Sequence, residues 1–147
     1  MINEIERIQT IRHSLLEFVS DLSTENFNEI PAGFNNNIIW NLAHLTAAQQ
    51  GMCYLRAGLK PVINEEYITP FLPGKKPERF ITEDEIKLLK DLFVSTLEPL
   101  KTDFGNNVFS GYPTWTTRVG VEMRNIEDVI KFLMFHDGLH SGYIMAM

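Results

Sequence analysis

Two histidines, His136 and His140, stand four residues apart in Phe135-His136-Asp137-Gly138-Leu139-His140, a stretch with the pattern of a final helix. On a helix that spacing separates two side chains by about 40° around the axis and about 6 Å along it, so both imidazoles leave one face and converge on one ion. It is a metal-ligand spacing. A third histidine, His44, falls on the inner face of another helical stretch about ninety residues earlier and turns the pair into a triad. Three neutral imidazoles suit a borderline divalent ion such as zinc or nickel and leave positions open for water and substrate, the pattern of catalytic rather than closed structural sites.

The rest of the chain reads as the helices that would carry such a site. Between Ile2 and Leu22 the apolar residues Ile5, Ile8, Leu15, Val19 and Leu22 follow one helical stripe, with Glu6, Gln9, His13 and Glu17 on the other side. His13, among polar neighbours, reads as a solvated surface residue. Pro31-Ala32-Gly33 breaks the chain, and Asn35-Asn36-Asn37 offers N-caps for a second helix from Ile38 to Ala57, stopped by Gly58 and Pro61. On its wheel His44 shares a face with Trp40, Ala47, Ala48 and Gly51, whose small members leave room beside the ring. Thr46, Gln49 and Gln50 turn to the other side, and Cys53 lies opposite His44, away from the ion.

Residues 58–82 hold four of the seven prolines and no clear period; a connection this long crosses the fold or covers a site. Its Lys75, Lys76 and Arg79 read as a solvated loop, with an anion-attracting rim as the sharper alternative. Thr82-Glu83-Asp84-Glu85 matches a capping box before a third helix with its stripe at Ile86, Leu89, Phe93, Leu97, Leu100 and Phe104, a kink at Pro99 and an end at Gly105. From Asn106 to Arg124 the Val, Thr, Tyr and Trp content, punctuated by Gly111, Pro113 and Gly120, suits a small hairpin on which Arg118 and Glu122 either line a pocket or face water.

Asn125 caps the fourth helix. Val129, Phe132, Leu133, His136, His140 and Tyr143 share one broad face, so the histidines sit on the core stripe. The opposite side, with Met134, Gly138, Ser141, Gly142 and Met145, carries small and soft residues where a surface helix shows Lys and Glu. Each glycine sacrifices up to about 1 kcal/mol of helix propensity, which a close neighbour would explain. This face is expected to be covered, by a homodimer contact or by the hairpin folding over it.

Composition narrows the function. At 147 residues and 44% hydrophobic, the chain is the size of one domain, 1–147, with a core able to fold alone. A formal charge of -6 disfavours nucleic acid and acidic membrane surfaces and points to small-molecule chemistry. No apolar run approaches a membrane span and no leader pattern opens the chain, so a cytoplasmic location is expected. The single cysteine, Cys53, excludes an intramolecular disulfide and fits a reducing compartment.

Asn37-Ile38-Ile39-Trp40-Asn41-Leu42-Ala43-His44-Leu45, followed by Phe135-His136-Asp137-Gly138-Leu139-His140-Ser141-Gly142, resembles the DinB/YfiT-like superfamily of four-helix metalloenzymes. The likeness covers the chain in length and helix order, and it is specific at the W-x3-H and H-x3-H motifs. It implies an all-α four-helix bundle with a variant up-and-down connection, and nickel or zinc held by His44, His136 and His140. It also implies a dimer. Characterised relatives include bacillithiol S-transferases and a mycothiol-dependent isomerase. The leading expectation is therefore a metal-dependent thiol S-transferase or hydrolase acting on a small molecule, with a low-molecular-weight thiol as the expected partner of the transferase. The competing one is a non-catalytic metal- or ligand-binding module. Trp40, Ala48 and Tyr143 are the expected pocket-lining residues. Asp137, about 100° from His136 on the wheel, is expected at most to orient a ligand.

Overall fold

The structure, a computed structural model, describes residues 1–147. Its elements are α1 (Ile2–Phe18), α2 (Thr24–Asn28), α3 (Ile38–Gln50), α4 (Glu83–Ser95), α5 (Leu97–Gly105), β1 (Trp115–Thr116), β2 (Glu122–Met123) and α6 (Ile126–Ala146). The four rods of the bundle are α1, α3, the broken pair α4–α5, and α6. Each packs against two neighbours: α1 against α6 and α4–α5, α3 against α4 and α6. The first and second rods thus sit on the diagonal, which is the variant form of an up-and-down bundle. None of these helices is long and apolar enough to cross a membrane.

Local chemistry sets the ends. The Asn37 side chain accepts from Trp40 N at 2.9 Å and starts α3, Asn125 does the same for α6 from Asp128 N, and Thr82 with Glu85 closes a reciprocal capping box on α4. The second helix does not run unbroken to Ala57. Its α-helical part ends at Gln50 and continues as a π-helical turn, Gly51–Leu55, before Gly58 reverses the chain at φ 70°. The third is two helices broken at Thr96, because Pro99 has no N–H to give the preceding turn.

The core divides into two apolar clusters with a polar layer between them. Ile5 and Ile8 of α1, Leu97 and Leu100 of α5, and Val129, Ile130 and Leu133 of α6 belong to one; Leu15, Val19, the N-terminal part of α3, Phe93 and Ile144 belong to the other. Each rod sends one residue into the layer: Arg12, Gln49, Thr96 and Asp137, none more than 2% exposed. All five guanidinium N–H groups of Arg12 have acceptors. Its Nε and one terminal nitrogen reach Asp137 at 2.7 and 3.4 Å, and the others meet Gln49 Oε1, the Phe93 carbonyl and, at 3.5 Å, the Leu45 carbonyl. Gln49 in turn bonds the Thr96 hydroxyl and carbonyl. The break at Thr96 is what leaves helix carbonyls for side chains to use. Gln49, expected on an outer face, is therefore central, and all thirteen residues of α3 are buried.

The expectation for α6 also needs correction. Its buried line runs through Ile126, Val129, Ile130, Leu133, Asp137 and Ile144, so the histidines stand on the edge of the core stripe and the aspartate on its centre. The hairpin does not fold over the soft face. Gly138, Gly142 and Met145 remain exposed, and nothing in the chain lies within 4 Å of where a Cβ on either glycine would be.

Candidate metal centre

His44 comes from the middle of α3, and His136 and His140 from successive turns of α6, which packs on it. The three rings meet. Their centroids are 4.6–5.2 Å apart, and one nitrogen from each lies within 4.8 Å of the other two. Modest ring rotations would bring such atoms to the about 3.4 Å that separates nitrogens around a tetrahedral zinc.

Hydrogen bonds fix which nitrogens are free. His44 Nδ1 lies 2.7 Å from the Phe71 carbonyl, an acceptor only, so Nδ1 carries the proton and Nε2 the lone pair. Trp40 stacks on the other face of that ring, 4.9 Å away and tilted by 9°, and donates its indole N–H to the Pro70 carbonyl. The long connection thus covers the site and supplies both carbonyls from the short turn Thr69–Phe71. His140 Nδ1 meets Asn41 Oδ1 at 2.8 Å. Asn41 Nδ2 donates to Asn36 Oδ1 and the Asn37 carbonyl, which settles the amide's orientation and makes His140 Nδ1 the donor. His136 Nδ1 is buried and has no partner in the chain, the kind of orphan an ion or a water satisfies.

Electrostatics keep all three rings neutral. Burial lowers the pKa of His44, and it takes His140 down to about 4, with the His44 ring adding to the effect. Burial, helped by the two neighbouring imidazoles, takes His136 down to about 3. Neutral imidazole is the ligand form, so the donor set fits a divalent cation.

Residues 7–144 match the family model of the DinB superfamily. The chain belongs to the DinB superfamily. No curated protein matches it. Family and histidine cluster together fit a metal-binding protein, and the three residues brought together are those on which the sequence likeness rests.

The DinB centre opens onto a cavity of about 560 Å³. His44 and His136 face it, with Ala48, Gly51, Met52 and Leu55 from α3 and its π-helical turn, Phe132, Phe135 and Leu139 from α6, and residues 115–119 of the hairpin. Ala48 is on the wall. Trp40 lies behind His44 instead, and Tyr143 stands apart, edge-on to Phe34. Arg118 lines the cavity; Glu122 does not. Asp137 is not a loosely placed orienting group, since it is wholly buried against Arg12; burial pushes its carboxyl up and the guanidinium pulls it back. Cys53 is buried in the apolar cluster away from the histidines, with its thiol pushed up to about 12, and has no thiolate to offer.

Acid should unfold the metal-free protein early. The folded histidines resist protonation while the unfolded chain binds protons from its ordinary value near 6.5 downwards, so stability falls as pH drops below about 6.5. The loss reaches about 1.4 kcal/mol per pH unit for each of His136 and His140, and ends only near their folded values, with His44 adding in the same direction. Urea midpoints measured from pH 7 to 5, above the range where exposed carboxylates titrate, would show the slope; a flat profile there would contradict neutral buried rings.

Proposed function

We propose that the protein is a metal-dependent thiol S-transferase acting on a small molecule, with nickel or zinc held by His44, His136 and His140. The observation that carries this reading is the set of three neutral imidazoles beside a roomy, largely apolar cavity that has no carboxylate, lysine or tyrosine on its wall. When bound, the ion would depress the pKa of a coordinated thiol, so that a thiolate is available near neutral pH. Thiolate attack on an electrophilic carbon forms the C–S bond while the leaving group departs with its electron pair. A good leaving group needs no protein acid, in keeping with the cavity wall. Ester or amide hydrolysis asks for a proton at the leaving oxygen or nitrogen, and no side chain there supplies one; a hydrolase is the second reading.

Each residue has a task in this scheme. Phe71 and Asn41 hold the tautomers of His44 and His140, Trp40 braces the His44 ring, and Phe132, Phe135, Leu55 and Leu139 give an apolar electrophile an apolar surface to lie against. The uncovered apolar stretch of α6, with Phe135 and Leu139 nearly 60% exposed beside Gly138 and Gly142, supports a homodimer. A lone buried thiol supports a reducing, cytoplasmic setting.

The test is turnover by protein loaded with nickel or zinc. Conjugation of a low-molecular-weight thiol to an alkyl or aryl electrophile is expected, dependent on metal and lost in His140→Ala. Metal-dependent ester cleavage without conjugation would transfer the assignment to the hydrolase. Tight metal binding with neither activity would leave a binding module.

A further inference from the structure

Every charged side chain on the cavity wall is an arginine. Arg56 and Arg118 stand there without any Asp, Glu or Lys, in a chain whose formal charge is -6. Of the four other arginines, three find carboxylates, Arg12 with Asp137, Arg79 with Glu85 and Arg124 with Asp128, and the fourth, Arg7, is exposed on α1. Arg56 and Arg118 take part in none of the ion pairs, and both are exposed to the cavity mouth.

Their positions are built rather than incidental. Arg56 follows the π-helical turn, and its guanidinium carbon sits 4.4 Å over the Trp115 ring. Trp115 Nε1 donates to the Tyr112 hydroxyl at 2.8 Å, and that hydroxyl donates to the Met52 carbonyl, so the hairpin is tied to the turn that carries Arg56. Such stacking leaves the edge N–H groups of a guanidinium free to bind an anion. Arg118 lies two residues after β1, in a turn held by Val121 N to the Thr117 hydroxyl and by Thr117 N to the Val121 carbonyl. Two unpaired guanidinium groups thus share a cavity with two of the three uncharged imidazoles, His44 and His136.

We propose that Arg56 and Arg118 form an anion clamp that selects a thiol co-substrate bearing carboxylates. The carboxylates sit at the hairpin end, the sulfur points to the histidines, and the electrophile takes the apolar wall. The role assigned to the sulfur rests on the S-transferase reading; the clamp itself does not. A carboxylate met by two forked donors in a partly enclosed site gains charge-assisted hydrogen bonds that a neutral thiol lacks.

Titration calorimetry with succinate, mercaptosuccinate and 2-mercaptoethanol tests this, on metal-free and zinc-loaded protein. Metal-free wild type should bind succinate and mercaptosuccinate alike, and Arg56→Gln/Arg118→Gln should weaken both about tenfold or more. Zinc-loaded wild type should bind mercaptosuccinate about tenfold or more tighter than either succinate or 2-mercaptoethanol. Equal succinate affinity in wild type and double variant, or none in wild type, overturns the clamp. Arginine-dependent succinate binding to which the thiol adds nothing keeps the clamp and sinks the transferase. Both arginines are exposed, so the double variant should fold and keep its zinc-induced rise in melting temperature; should it not fold, Arg118→Gln alone carries the comparison.

Discussion

Arg12→Ala should lower the stability of the fold by about 3–5 kcal/mol, the cost of leaving a buried carboxylate without its partner. Arg12 and Asp137 are both essentially inaccessible to water, with Nε 2.7 Å from the carboxylate, and the same guanidinium serves Gln49 and the Phe93 carbonyl. For a chain of this length the loss corresponds to a melting temperature about 10–20 °C lower. It is a large share of the about 5–15 kcal/mol that holds a domain folded. The pair is costly to break but of little net worth against well-packed apolar side chains, so Arg12→Met/Asp137→Leu should recover more than half of the loss. Recovery will be incomplete, because Gln49 and two carbonyls still lose a donor. Additive single-variant effects, without recovery, would refute the account of Arg12 and Asp137 as one unit. The variant should also weaken metal binding, since Asp137 lies between His136 and His140 and ties α6 to α1, α3 and α4 at one register.

The buried polar layer is also where the sequence was hardest to read. The stripe Ile5, Ile8, Leu15, Val19 has the spacing of a core face, and Arg12 occupies its missing position, four after Ile8 and three before Leu15. That was the available signal. An arginine at such a place is normally discounted, because only a partner from elsewhere makes its burial tolerable, and helical periodicity carries no information about partners. Gln49 was set facing outwards by its place on the helical wheel, away from His44, although α3 turns out to be buried on every side. Caps were legible because their chemistry is local: Asn37, Thr82 and Asn125 act on backbone N–H groups three residues on. The histidine triad was legible through spacing and family likeness. The groups that orient it were less so, since Phe71 acts through a carbonyl that any residue could supply, and Asn41 stood inside the motif with no mark of its role. The cavity was the least accessible part, being made by a hairpin, a π-helical turn and α6 that meet only in three dimensions.

Zinc or nickel should raise the melting temperature of the wild-type protein, and His140→Ala should abolish most of that rise. A ligand that binds only the folded state at a thousandfold excess over its dissociation constant stabilises by about 4 kcal/mol, close to 15 °C here. Removing one of three donors leaves a two-histidine site on a chain that offers no carboxylate or thiol in its place: Asp137 is held by Arg12 and Cys53 is sealed in the core. Asn41→Ala is the finer probe. It keeps all three imidazoles but frees the tautomer of His140, so metal affinity should drop about 10–100-fold and the rise should shrink rather than vanish. The metal-free variants add an independent reading. His140→Ala withdraws one of the rings that resist protonation, so its stability between pH 6.5 and 5 should fall less steeply than that of the wild type. An undiminished metal-induced rise in His140→Ala would place the ion elsewhere. A lost rise together with an unchanged acid slope would mean that the His140 ring is not held neutral by its burial.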